Sequence, residues 1–305
     1  MNVGLVGRSD LLFNTMLELH KKNVKISFVY TGKSETYYSK KEINFRNFCK
    51  KNKIIFYCDN ELNKNYQKID NKITKVVFSI NCPFKINNSV LKYFKYGFFN
   101  AHLGDLPKYR GNATPNWSIL NEEKSIPLCI HKMSAGIDEG EIFFKKHFLI
   151  KKDCYVEDIY KWANKYVPVG FYNLYKMLKV KKLKLKLKKQ KGKIIRTYPR
   201  QESDSKINWN MTAKSIEKLI RASSVPFSGA YFFFNKKKYR IFKAKIYKPK
   251  FRYYAIPGQV CLKNKHNPVI ATNKEMLEII KMSLNEKKDL TFKKMISKSL
   301  RNRLN

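Results

Sequence analysis

Asn100, His102 and Asp138 are the residues of this 305-residue chain whose types and spacing could do chemistry together. The first two close an aromatic and apolar run, Phe98-Phe-Asn-Ala-His-Leu103, that reads as a short buried strand. Alternation along a strand puts Asn100 and His102 on one face, so a carboxamide and an imidazole point into one pocket. Asp138 comes thirty-six residues after His102, between Gly136 and Gly140, in a tight loop able to bring a carboxylate to the imidazole. These groups are enough for acyl transfer to an amine. Asn and protonated His stabilise a tetrahedral oxyanion, His moves protons near neutrality, and Asp orients and charges the His or takes the amine's proton. Singly, each has a plainer reading: a strand-end histidine is more often structural, and an aspartate between glycines is usually a turn residue.

The surrounding elements must position the three. Asn2-Val-Gly-Leu-Val-Gly7 predicts a strand ending in glycine, followed by a helix through Leu11, Leu12, Met16 and Leu19. No Gly-x-Gly-x-x-Gly stands at this turn, so no dinucleotide is expected there. Strands are expected over 25–30, 54–57 and 75–80 and into Asn100, with helices over 44–53 and 88–95. That βαβαβαβ order predicts an α/β fold, a Rossmann-like, mostly parallel, doubly wound sheet with ligands at the carboxyl ends of its strands. Pro107, Gly111 and Pro115 predict an irregular loop after His102. A short helix over 115–120 and a hairpin of strands 127–133 and 141–150 follow, leaving Asp138 in the hairpin loop. His131 and His147 fall inside those strands and read as packing or surface residues. A long helix over 156–178, interrupted at Pro168, closes the first domain.

The pattern Asn-x-His, then Leu106-Pro-Lys-Tyr-Arg-Gly111, then Asp138-Glu-Gly140 resembles the formyltransferase family that uses 10-formyltetrahydrofolate. Its members include methionyl-tRNA, glycinamide ribonucleotide and amino-sugar formyltransferases. The resemblance resumes at Ser203-Asp-Ser-Lys-Ile-Asn-Trp209, Arg221-Ala222 and Pro226-Phe-Ser-Gly-Ala230, which are similar to the family's linker. It covers nearly the whole chain and is strongest over 76–145. It implies an enzyme that takes its formyl group from 10-formyltetrahydrofolate, with no metal, and with Asn100, His102 and Asp138 catalytic. It also implies donor contacts at Phe84, Lys85, Ile86, Asn112, Ser134, Ala135, Gly136, Ile137 and Asp138. Arg8, Tyr109, Arg110 and Trp117 are the candidate substrate contacts. Asp138 is expected to raise the pKa of the His102 imidazole by favouring its charged form.

Three readings of the substrate stay open. The glycinamide ribonucleotide enzyme resembles only the first domain, so the linker and the strands after it count against that one. Methionyl-tRNA formyltransferases usually carry a long Gly-, Pro- and Arg-rich loop after the second strand, where this chain has the short Thr31-Gly-Lys-Ser-Glu-Thr-Tyr-Tyr38. Arg110-Gly-Asn-Ala-Thr-Pro-Asn-Trp117 looks more like the enzymes acting on nucleotide-linked amino sugars for surface polysaccharide. The sugar nucleotide is therefore favoured, initiator methionyl-tRNA is the alternative, and a formyltransferase-derived binding protein without catalysis is the third.

Three segments are expected: a formyltransferase catalytic domain at 1–178, a basic linker at 179–205 and an OB-like β domain at 206–305. In the linker, alternating Leu183, Leu185 and Leu187 among lysines predict an edge strand whose charges discourage pairing. Short strands over 231–234, 239–246, 258–261, 268–271 and 276–281 predict a small barrel, and the basic tail from Lys287 a helix.

Composition sets the outer bounds. Sixty-four Lys and Arg against 23 Asp and Glu leave a formal net charge of +41. Either an anionic partner or an AT-rich genome, which favours Lys and Asn codons, accounts for it, and in both cases the field steers anionic substrates inward. Six scattered cysteines without a Cys-x-x-Cys pair read as reduced thiols, not as disulfides or a zinc site. No apolar run of membrane-spanning length and no signal-peptide pattern occurs, so a cytoplasmic protein is expected. Oligomeric state is left open, a homodimer included.

Overall fold

The structure, a computed structural model, describes residues 1–180, 185–284 and 290–305. Contacts divide it into two units. The first holds residues 1–114, 124–149 and 159–198. The second holds residues 115–123, 150–158 and 199–305.

In the first unit β1 (Asn2–Gly7), α1 (Asp10–Lys21), β2 (Ile26–Thr31), α2 (Glu42–Lys51), β3 (Ile55–Cys58), α3 (Leu62–Asn65), β4 (Thr74–Ile80), α4 (Asn88–Tyr93) and β5 (Phe98–Leu103) run in the expected alternation. A two-residue strand β6 (Arg110–Gly111) follows, then α5 (Thr114–Leu120), which begins in this unit. The hairpin is β7 (Ser125–Lys132) and β8 (Ile142–Leu149), and after α6 (Val156–Lys179) a short β9 (Arg196–Thr197) completes the unit. The sheet order is β3-β2-β1-β4-β5-β7-β8. Pairings among the first five strands are parallel, and β7 and β8 are antiparallel. The order reverses between β1 and β4, which makes the carboxyl ends of those strands the switch point where ligands bind in such sheets.

Burial explains the layers. Val3, Leu5 and Val6 on β1 and Val76, Val77 and Phe78 on β4 are fully buried, as central parallel strands require. Helix α1 buries Leu12, Met16 and Leu19 on one face, and its N-terminus is capped by the Ser9 hydroxyl, which accepts from Leu12 N–H. Against the sequence-based expectation, α6 is not interrupted at Pro168. The buried stripe Ile159, Ala163, Val167, Phe171, Leu174 and Leu178 continues across the proline at helical spacing, and Phe171 stacks on Phe78 at 4.5 Å. Packing along that stripe outweighs the one hydrogen bond the proline forgoes.

Of the expected edge strand in the linker, Leu183 lies outside the described residues, and 185–187 form no strand. Lys188 alone makes an antiparallel bridge to Ile142. The segment thus lies beside β8 as a strap and covers part of that edge.

In the second unit α7 (Ala213–Ser223) precedes an antiparallel sheet of β10 (Ala230–Phe234), β11 (Lys237–Tyr247), β12 (Val260–Asn264), β13 (Asn267–Ala271) and β14 (Met276–Leu284), in the order β10-β11-β14-β13-β12. The five strands expected from sequence are therefore all present. Trp209, Ile216, Ile220, Phe232, Tyr239, Ile241 and Ile279 form its core. Helix α8 (Leu290–Ile296) falls in the tail expected to be helical, of which 287–289 lie outside the described residues. Among the described residues no helix is long and apolar enough to cross a membrane.

Candidate active site

Strand β5 sits between β4 and β7, with Ser79 level with Asn100 and His102 opposite Cys129. His102 therefore stands just beyond the carboxyl end of β4. Its Nε2 lies 2.8 Å from the Tyr109 carbonyl oxygen. A carbonyl only accepts, so Nε2 carries a hydrogen and donates it. Nδ1 then faces Asp138 Oδ2 at 3.5 Å. Gly104 makes the ring position available, because a Cβ there would stand 2.4 Å from His102 Nε2. Tyr109, in the left-handed region at φ 64°, turns its carbonyl back to meet the ring.

Asp138 comes from the β7–β8 loop, as the sequence implied, and its backbone is also left-handed at φ 55°. Oδ2 accepts from Gly111 N–H at 3.0 Å, while Asn100 Nδ2 lies 3.4 Å from Oδ1. The other close neighbour is His131, whose Nε2 is 3.3 Å from Oδ1. Burial alone would raise the Asp138 carboxyl. The charges of His102 and His131, the His131 hydrogen bond and the Gly111 amide outweigh it and hold the group well below the usual carboxylate range. For His102 the balance differs from the expected one. Burial lowers the imidazole below its ordinary value, and Asp138, which does favour the charged form, does not overcome it, while His131 adds to the lowering.

His131 is the residue the sequence reading placed elsewhere. It was expected to be a packing or surface residue; it is 1 % exposed, but its ring lies against the carboxylate and 3.4 Å from Asn100 Nδ2. The register pairs it directly with Asn100 across β5 and β7. That pairing was the only available signal, and it needs the strand register, which spacing alone does not supply. His147 is exposed, as expected.

The strap contributes a second unforeseen residue. Gln190 Nε2 donates to the carbonyls of Asp138 (2.7 Å) and Gly140 (2.8 Å), and its Oε1 accepts from Arg110 Nε (3.1 Å) and Nη2 (2.8 Å). Alongside, β9 pairs with β6, and Arg196 Nη1 donates to the Ile137 carbonyl at 3.2 Å. Gly111 permits this approach: at φ 117°, a Cβ there would stand 2.2 Å from the Thr197 carbonyl oxygen. A glutamine within a lysine run carries no sequence signal of such a role.

The remaining expected residues fall into three groups. Phe84 and Ile86 follow β4, and with Cys82 and Met133 they pack on one apolar cluster built from Val6, Val77 and Phe98. Segment 84–86 and Met133, the residue before 134–138, thus share one apolar cluster. Lys85 is exposed with its carbonyl bound by Asn63, and Asn112 is exposed with its N–H on the Thr197 carbonyl. Ser134 and Ala135 are exposed, and Ser134 through Ile137 lie outside any strand or helix. Arg8 follows β1 and pairs with Glu35 at 2.6 Å. The Tyr109 side chain is buried, and Arg110 is held by Gln190 and faces Glu139 at 3.6 Å. Trp117 belongs to the second unit, with the Arg200 guanidinium 5.8 Å from its ring centroid.

A carboxamide, a buried imidazole and a depressed carboxylate converge beside the carboxyl end of β4, an arrangement able to hold an oxyanion and move one proton. A family model described as "Formyl transferase" matches residues 5–169, and one described as "Formyl transferase, C-terminal domain" matches residues 199–300. The chain belongs to the formyl transferase family. It is 32% identical over 219 residues to the bifunctional polymyxin resistance protein ArnA of Wigglesworthia glossinidia brevipalpis, a match spanning 69% of this chain and 31% of that protein. It is 29% identical over 230 residues to the methionyl-tRNA formyltransferase of Rickettsia prowazekii, covering 75% of this chain and 72% of that one. Among solved structures, the Helicobacter canadensis N-formyltransferase, in complex with folinic acid and dTDP-3-aminofucose, superposes with a TM-score of 0.67 at 19% identity, covering 92% of this chain and 98% of that one. WlaRD, a sugar 3N-formyl transferase solved with dTDP and 5-N-formyl-THF, gives 0.65 at 20% identity, covering 94% and 98%. At those identities the two structures speak for the fold.

Proposed function

We propose that this chain is a 10-formyltetrahydrofolate-dependent N-formyltransferase whose acceptor is a nucleotide-linked amino sugar, acting in the cytoplasm. The observation that carries the reaction is the assembly of Asn100, His102 and Asp138 within 3.5 Å contacts on a chain of this family. The donor's reading is supported by the exposed Ser134, Ala135 and Ile137 outside regular structure and by the apolar packing of Phe84, Ile86 and Met133 on one cluster. The donor supplies an activated formyl carbon.

The chain's own groups then have distinct tasks. Asn100, loosely held at 3.4 Å from its neighbours, is free to turn its N–H toward the oxyanion as the neutral amine adds to the formyl carbon. His102, whose burial favours the neutral ring, takes the amine's proton at Nδ1, where Asp138 meets the new charge. In this form its charge supports the oxyanion, and Asn100 gives the hydrogen bond. Collapse breaks the bond to the donor nitrogen, which receives one proton and leaves as tetrahydrofolate, and the product is the formamide of the acceptor. Asp138 itself is a poor resting base, since its neighbours stabilise the carboxylate.

The sugar is favoured by the short β2–α2 connection, from Gly32 to Lys41, and by the Asn116-Trp117 ending of the motif loop. The methionyl-tRNA formyltransferases among the sequence relatives and the basic charge favour initiator methionyl-tRNA as the second reading. Formyl transfer is to be measured with 3-amino and 4-amino sugar nucleotides beside charged initiator methionyl-tRNA. Turnover on one sugar alone is expected; turnover on the tRNA alone would replace the acceptor and leave the three residues in their roles. His102→Ala is expected to lose about two to four orders of magnitude in kcat.

A further inference from the structure

We propose that Gln190 is a positioning residue for the reaction: its carboxamide ties the Asp138 loop to the Arg110–Gly111 strand and so fixes the Asp138 carboxylate against His102. The inference rests on the reading of Asp138 given above.

The geometry is specific to a carboxamide. One nitrogen reaches two main-chain carbonyls, those of Asp138 and Gly140, and one oxygen accepts both Nε and Nη2 of a buried arginine. Only an amide end group offers two donors and two lone pairs side by side. The carbonyl it holds belongs to Asp138 itself, in the left-handed conformation that an L residue seldom adopts unless its surroundings impose it. With that peptide pinned, the side chain leaves the loop toward His102 and Gly111 N–H, so both ends of the residue are fixed.

Gln190 is not what holds the strap in place. Lys188 exchanges two main-chain hydrogen bonds with Ile142, at 2.8 and 2.9 Å. Downstream, Arg110 N–H donates to Ile195 and Asn112 N–H to Thr197, each at 3.0 Å. These bonds flank Gln190 and do not need its side chain. Loss of the carboxamide should therefore loosen the Asp138 loop, still tied by Arg196 to Ile137 and by Gly111 N–H to the carboxylate, while the strap remains.

The test uses the full-length chain with Gln190→Leu, which removes all four bonds, and Gln190→Glu, which keeps the acceptor for Arg110 and loses the two donors. Three readouts are taken: melting temperature, kcat and acceptor KM on the acceptor that turns over, and the titration of His102 followed by NMR of labelled histidine, assigned with His102→Asn. Both variants are expected to lose about 30- to 100-fold in kcat with little change in acceptor KM, because a small misplacement of a catalytic group is enough. The His102 titration is expected to move to lower pH, since the neighbouring carboxylate that favours its charged form has swung away. A merely structural role would lower the melting temperature and leave that titration where it was. Gln190→Glu keeps the test valid where Gln190→Leu folds poorly. Parent-like kcat and His102 titration in both folded variants would overturn the proposal. Asp138→Asn is measured alongside: full activity there would fell the reading of Asp138 and this inference with it, whereas an inactive Asp138→Asn beside an unaffected Gln190→Leu overturns the role of Gln190 alone.

Discussion

His102 donates from Nε2 to the Tyr109 carbonyl and presents Nδ1 to the Asp138 carboxylate at 3.5 Å. Burial lowers the imidazole below its ordinary value and so favours the neutral ring, with Nδ1 placed to take a proton beside the carboxylate. The acid limb of kcat/KM is accordingly expected below the ordinary imidazole value of about 6.5. Asp138→Asn removes the charge that raises His102, so whatever activity survives should show that limb at still lower pH. A limb at or above the ordinary value would mean that the resting form is the imidazolium and would reverse the direction of proton flow. Asn100 and His102 were legible because strand alternation fixes their common face, and Asp138 because glycines on both sides of a carboxylate mark a tight loop. His131 and Gln190 were not legible. Each reaches the site through pairing or crossing of distant segments, which leaves no local pattern.

Elements were legible wherever a single period ran unbroken, as in β1, β4 and α1. Local chemistry misled where a long-range contact decided the outcome. Pro168 reads as a break, yet the stripe from Ile159 to Leu178 keeps α6 whole; Arg110 and Gly111 read as loop, yet they pair with the later Arg196 and Thr197. A comparable long-range arrangement stabilises the second sheet. Glu278 on β14, 2 % exposed, accepts from Asn264 at 2.9 Å and Asn267 at 2.7 Å and stands 3.2 Å from Lys245, its partner across β11. Burial works against its charge, but the two amides and the lysine prevail, so the folded carboxyl lies below its ordinary value. Glu278→Ala is expected to cost about 1–2 kcal/mol in urea unfolding at neutral pH, because it leaves two half-buried amides without their shared acceptor. The sign with pH follows from linkage. A carboxyl with a depressed folded pKa contributes above its unfolded pKa, and that contribution fades as pH falls toward the folded value. The gap between parent and variant should therefore narrow in acid; a gap that widens would place the stabilisation elsewhere.

At the scale of the molecule, charge is the property composition made plain. Lys186, Lys188, Lys189, Lys191 and Lys193 are all exposed along the strap that reaches the candidate site. If the +41 field steers anionic substrates, raising salt from about 50 to about 500 mM should raise KM severalfold with kcat unchanged, because the Debye length shrinks below the approach distance. A flat KM would assign the charge to composition. Chain order adds a constraint of another kind. Asn100, His102 and Asp138 leave the ribosome well before residue 190, and until the strap follows, the two loops are joined by the Gly111 N–H on Asp138 Oδ2 and the Arg110–Glu139 pair without the Gln190 carboxamide. If Gln190 aligns the site as proposed, a nascent chain stalled short of the strap carries every reacting group without that clamp, so full competence is acquired late in synthesis.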